Sequence, residues 1–144
     1  MMYGQLCAEF YDADKKFATN NELKLYKELF SKNDSILEPM CGSGRLLIPL
    51  VQQGYNVHGI DNSAYMLKRC RERANSLGAD PVLYEGNIEN YPFEYQFQYI
   101  IIPLGSFQLL YPRRSLQNTR KISCAFNIRR KTHYGFVYPM GSNV

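Results

Sequence analysis

The chain has 144 residues, enough for one domain with a sizeable core. Its 45% hydrophobic and 21% charged residues are ordinary for a globular protein, and no apolar run approaches the roughly 18 residues of a membrane span. The net charge of +4 hides a step: residues 1–112 carry ten Lys/Arg and thirteen Asp/Glu (net −3), whereas residues 113–144 carry seven Lys/Arg and no acid (net +7). Such a step marks either a basic arm for nucleic acid or solvated charge on an altered terminus, and the second reading is preferred. Cys7, Cys41, Cys70 and Cys124 show no Cys-x-x-Cys spacing, and with two histidines they suggest no metal site. Met1 to Gln5 lack the basic and apolar regions of a secretory signal, so a reduced, cytoplasmic protein is the simplest reading.

The predicted elements alternate. Asn20 or Asn21 is expected to cap a helix over 22–31, with Leu25 and Leu29, joined by Tyr26 and Phe30, at core spacing. A strand is expected over 35–37 and a helix over 45–53 that stops at Gly54. Pro49 fits that helix only near its start or at a bend. A second strand covers 56–60, and Ser63 caps a helix over 64–77 that ends at Gly78. Strands over 82–85 and 97–102 follow, the latter an almost continuous apolar run that suits a strand covered on both faces. Beyond it, 113–122 has the look of a helix, 124–134 shows no clean period, and 135–138 reads as the remnant of a further strand. Alternating strands and helices predict right-handed βαβ units in a doubly wound, mainly parallel sheet, with ligands at the carboxyl ends of the strands.

The most informative segment is Ile36-Leu37-Glu38-Pro39-Met40-Cys41-Gly42-Ser43-Gly44: a strand ending in an acid, then a glycine turn. Glycines allow the sharp bend and let a ligand lie against bare backbone. Asp61 closes the next strand 17 residues after Gly44, near the spacing at which a strand tip offers a carboxylate to a ribose. A dinucleotide would set its pyrophosphate at the turn, where Glu38 repels it, and its fingerprint wants a glycine where Leu47 stands. A sulfonium and an ammonium suit Glu38, which favours S-adenosylmethionine over a nicotinamide or flavin.

On these residues the chain resembles a class I S-adenosylmethionine-dependent methyltransferase of Rossmann-like fold, over about residues 3–110. Glu38 to Gly44 is similar to that family's first motif, Gly59-Ile60-Asp61 to its second, and Glu85-Gly86-Asn87-Ile88 to its third. Ile100 to Phe107 looks like the fourth strand and the loop after it. The resemblance implies cofactor contacts from Glu38, Met40, Gly42, Gly44, Asp61, Asn62, Asn87, Ile88 and Pro103. It also implies an N-terminal lid in which Tyr11, with Tyr3 and Phe10, covers the cofactor; the plainer alternative is that these rings cover the sheet. Two departures stand out: Asn87 replaces the usual Asp, and Gln98-Tyr99 replaces the acid before the fourth strand. Asn87 still offers an acceptor to an adenine amino group.

The domain divides accordingly into a helical lid region (1–34), a cofactor-binding core (35–112) and a basic, irregular tail (113–144). The family continues past its fourth strand with a helix, a glycine turn and further strands. The tail departs from that pattern, so the sheet is expected to lack its last strands and to leave an apolar edge open to self-association. Each residue also has a plain reading: Glu38 as a capping acid, Asp61 as a cap for the helix at Ser63, Met66 and His58 as core, Cys41 as packing. No candidate base lies in Pro103–Phe107, and the loop matches neither the Asn/Asp-Pro-Pro-aromatic pattern of nucleic-acid amino-methylases nor the Pro-Cys of cytosine enzymes. The expected function is methyl transfer to a small-molecule acceptor. The alternatives are a non-catalytic cofactor-binding relative, a nucleic-acid-binding module acting through the tail and, last, a nicotinamide-dependent oxidoreductase.

Overall fold

The computed structural model describes residues 17–103, 130–132 and 135–139. Helix α1 spans Asn20–Leu29, α2 Leu47–Gln52 and α3 Ala64–Ser76. The strands are β1 Ser35–Pro39, β2 Asn56–Asp61, β3 Leu83–Glu85, β4 Tyr99–Pro103, β5 Arg130–Thr132 and β6 Gly135–Pro139. They form one sheet in the order β3-β2-β1-β4-β6-β5. β1, β2, β3 and β4 are mutually parallel, with Glu38 beside Gly59 and Asp61 beside Glu85. The chain steps outward from β1 through β2 to β3, then returns to pair β4 on the other side of β1. That reversal opens a crevice at the carboxyl ends of β1 and β4, where ligands bind in open α/β sheets.

The strands bury both faces, as the apolar run of β4 demands. On one face Ile36, Val57 and Ile101 pack with Leu23, Tyr26 and Phe30, with Leu47, Ile48 and Leu50 of α2, and with Leu67, Cys70 and Ala74 of α3. On the other, Leu37, Ile60, Ile100 and Ile102 meet Phe97 and the partly buried Tyr84, Ile88, Tyr91 and Phe93.

Several local expectations shift. Thr19, not Asn20 or Asn21, caps α1 by accepting from the Glu22 amide at 3.2 Å. Of the expected core positions Tyr26 and Phe30 are buried and Leu29 packs partly buried against the same cluster, whereas Leu25 is only half-buried and Glu22 and Leu23 are buried in addition. Pro49 lies in the first turn of α2, where its missing N–H costs no helical bond. Gln98 fastens the other end of the sheet: its Oε1 accepts from Ser35 N at 2.9 Å, and its amide donates to Ser35 O at 2.8 Å. The residue standing where the family has an acid is therefore a structural tie, remote from the crevice.

The stretch read as an irregular tail contains two strands. β6 runs antiparallel along all of β4, from Tyr99 beside Pro139 to Pro103 beside Gly135, and β5 pairs outside it. The expected open edge of β4 is thus covered. Among the described residues the outermost strands, β3 and β5, are three residues each. Short edge strands give another chain little ladder to extend.

Candidate functional site

β1 delivers Glu38 to the crevice, and the chain then makes a tight turn. Met40 (φ 52°), Gly42 (φ 57°) and Gly44 (φ 88°) all lie in the left-handed region. Gly44 has no alternative: a Cβ there would sit 2.7 Å from Cys70 Sγ and from two carbons of Ile48. The turn is held by Gly44 N donating to Cys41 O at 3.0 Å and by Cys41 N donating to Ile60 O at 3.2 Å. From α3, Arg73 Nη1 donates to Ser43 Oγ at 2.7 Å.

Leu47 occupies the place of the dinucleotide-type third glycine, and the room comes from the partner strand instead. A Cβ on Gly59 would lie 2.7 Å from Cys41 Sγ and 2.9 Å from Leu47 Cδ2. Close contact between the turn, the start of α2 and β2 is therefore made possible by a glycine on the strand rather than on the helix.

Asp61 ties the turn to α3. Its Oδ2 accepts from Gly42 N at 2.9 Å and its Oδ1 from Ser63 N at 2.8 Å. Burial raises its pKa, and the amides of Ser63, Gly42 and Asn62 oppose that rise. Ser63 caps α3 through its own Oγ, at 3.3 Å from Met66 N. A carboxylate has about four acceptor positions, so capacity remains beyond these amides for a ligand's hydroxyl.

Glu38 differs in kind. It is 3% exposed, and its Oε2 is buried without a hydrogen-bond partner among the described residues. Burial pushes its carboxyl up to about 8; Arg45 pulls it partly back, and Glu22 and Asp61 push it further. A buried acceptor in a native fold ordinarily has a partner. An orphan acceptor at the carboxyl end of a central strand, beside a buried glycine turn, has the chemistry to receive a cationic group.

The other expected contacts are placed around this centre. Asn62 is exposed beside Asp61. Gly86 N donates to Asp61 O at 2.9 Å, bringing the Asn87–Ile88 loop alongside. Asn87 is exposed and uses its Oδ1 to accept from Glu89 N at 3.0 Å, while Ile88 packs on the Leu37 and Ile60 cluster. Pro103 ends β4 at the same edge of the sheet. Tyr11, Tyr3, Phe10 and the loop after Pro103 lie outside the described residues.

Met66 is 4% exposed, with its Cε 3.0 Å from the Cβ position of Gly42, so it supports the turn from below. Burial holds the Cys41 thiol well above its ordinary pKa, which fits packing rather than nucleophilic work. His58 lies among Tyr84, Tyr95 and Phe97 with its Nδ1 3.0 Å from the Tyr84 hydroxyl, and burial lowers its pKa. Sequence reasoning missed Glu22 and Arg45, which form a forked pair whose charges act on Glu38. Arg45 directly follows Gly44, but no local signal links it to a helix 23 residues upstream.

A family model for a methyltransferase domain matches residues 36–123. The chain belongs to this methyltransferase domain family. A carboxy-S-adenosyl-L-methionine synthase of Campylobacter jejuni is 31% identical over 71 residues, which is 48% of this chain and 30% of that protein. Among solved structures, an S-adenosylmethionine-dependent methyltransferase from Clostridium acetobutylicum superposes with a TM-score of 0.54 at 24% identity, over 69% of this chain and 43% of that one. The magnesium protoporphyrin IX methyltransferase of Synechocystis, solved with its S-adenosylmethionine, gives 0.53 at 17% identity, over 91% and 77%. These structures share the Rossmann-like methyltransferase fold with this chain. The chain spans about a third of the length of the curated relative and under half of the Clostridium structure.

Proposed function

We propose that the chain binds S-adenosylmethionine across the carboxyl ends of β1 and β2 and transfers its methyl group to a small-molecule acceptor. The observation that carries this reading is the buried Oε2 of Glu38, without a partner among the described residues, beside the glycine turn. Family membership and the names of the relatives support it. When bound, the cofactor supplies an electrophilic methyl on a sulfonium.

Glu38 would offer its carboxylate to the cofactor's cationic end, with Met40, Gly42 and Gly44 presenting backbone along it. Asp61, with Asn62, would accept from ribose hydroxyls through the acceptor capacity left beyond its amide partners. Asn87 and Ile88 would flank the adenine, and Pro103 would line the crevice from β4. Tyr11 would close over it. In-line transfer asks the protein for positioning and exclusion of water more than for a base. Pro103-Leu104-Gly105-Ser106-Phe107 supplies no ionisable base, which favours an acceptor that reacts without one. The deciding experiment is calorimetric titration with S-adenosylmethionine, its demethylated product and NAD. The adenosyl sulfur compounds should bind and NAD should not; binding of NAD alone would end this reading.

A further inference from the structure

Glu22, in the first turn of α1, is 4% exposed although it is an acid. Its partner is Arg45, whose Nη1 donates to Glu22 Oε2 and Nη2 to Oε1, both at 2.8 Å. This forked pair fixes the guanidinium in a plane, a geometry that Lys could not reproduce. Arg45 also acts through space on Glu38, the acid of the cofactor crevice. Arg45 thus acts by its charge on two buried carboxylates and could compensate either. Forked onto Glu38, it would satisfy that carboxylate within the protein and leave an incoming cation little to gain. It is forked onto Glu22, and Glu38 keeps an oxygen without a partner among the described residues.

We propose that Glu22 is a positioning residue for cofactor capture: by holding Arg45 against α1, it keeps Glu38 from being neutralised by its own turn and reserves that carboxylate for the cofactor's cation. The proposal rests on the S-adenosylmethionine reading above. The titratable and charged groups that act on Glu38, or on which it acts, are Glu22 and Tyr26 of α1, Cys41 and Arg45 of the turn, Asp61 of β2 and Cys70 of α3. Tyr26 is fully buried, with a hydroxyl that has no partner among the described residues, so it leaves Glu38 unsatisfied as well. In the free protein at neutral pH, Glu38 therefore holds its proton, and a bound cation displaces it.

The test counts protons. Titration with S-adenosylmethionine at pH 7, repeated in buffers of different ionisation enthalpy, gives affinity and protons released together. The wild-type chain should release most of one proton per cofactor bound. In Glu22→Gln, Arg45 turns to Glu38, which ionises before the cofactor arrives. Release should fall below half of the wild-type value and affinity by about tenfold, the loss of one charge-assisted contact. Removing the competitor too, in Glu22→Gln/Arg45→Met, should restore the release. If Glu22→Gln does not fold, Glu22→Asp decides: its shorter carboxylate breaks the fork, so release should fall below the wild-type value. A Glu22 that merely pins α1 to the turn would weaken binding in the variants and leave proton release unchanged, which would overturn the proposal. So would a double variant that fails to regain release, or wild-type binding without release. If the wild-type chain binds no adenosyl sulfur compound, the functional reading falls first and this one with it.

Discussion

Replacing Glu38 with Gln should stabilise the free protein and impair its binding. In the fold the Glu38 carboxyl keeps its proton up to about 8, whereas its ordinary value is 4.5. Between those values the unfolded chain gives up a proton that the folded chain retains, so unfolding gains and stability falls as pH rises. Below the ordinary value both states are protonated and the penalty vanishes; above the folded value both are ionised and the penalty is complete. One pH unit corresponds to about 1.4 kcal/mol, so from about pH 5 to pH 7.5 the penalty grows by roughly 3 kcal/mol. Glu38→Gln has nearly the same shape and no proton to lose, so it escapes that slope. Urea denaturation of both proteins without cofactor, followed by circular dichroism across this range, gives the difference in stability at each pH. Titrations of other groups cancel in that difference, provided they do not couple to Glu38. The variant should gain on the wild type as pH rises while losing affinity for S-adenosylmethionine at least tenfold. A stability difference that stays constant from about pH 5 to 7.5 would refute the reasoning, because it would mean that Glu38 ionises normally in the fold.

Asp61→Ala removes the acceptors of Gly42 N and Ser63 N, so the unfolding free energy measured by urea without cofactor should fall by about 2–3 kcal/mol, for two charge-assisted bonds at a half-buried site, and cofactor binding should weaken as well. A variant of wild-type stability would show that the carboxylate does not brace the turn. Gly44→Ala should cost on the order of 2–4 kcal/mol, since left-handed strain adds to a collision with Cys70 and Ile48, whereas Gly78→Ala, also at positive φ but with nothing within 4 Å, should cost only about 1–2 kcal/mol. Thermal melts of the two variants compare them directly. Filter binding across a salt series should find little nucleic-acid affinity at physiological salt despite seven basic residues after residue 112; tight binding that weakens steeply with salt would instead make that stretch a nucleic-acid arm.

What the sequence showed clearly was local. The run from Ile36 to Gly44 announces strand, acid and turn because each step is written in adjacent residues, and Ser63 and Gly78 mark the two ends of α3 in the same way. The fourth strand was legible because Ile100, Ile101 and Ile102 permit no exposed face. The rest depended on which elements meet. Glu22 and Arg45 are far apart in sequence, so their pairing exists only once α1 packs beside the turn. Asp61 was legible as an acid at a strand tip, but its bonds to two amides follow from how the turn folds back on β2. β6 was visible as a strand remnant, yet its antiparallel place along β4 was not, since the periodicity of five residues says nothing about the direction of a neighbour.

The contact between Gly59, Cys41 and Leu47 also limits how this domain could have changed over its history. The space a side chain at position 59 would need is already taken by the Cys41 sulfur and a Leu47 methyl. Position 59 can therefore accept Ala without strain only when both position 41 and position 47 have given way, and smaller residues there, while Gly59 remains, open a void in the buried wall of the turn. The three positions are expected to move as a set, with the intermediate step always costlier than either end. The glycine turn would then vary among relatives in discrete, matched combinations rather than one residue at a time, and a library that randomises Gly59, Cys41 and Leu47 together should recover folded variants that no single-site scan contains.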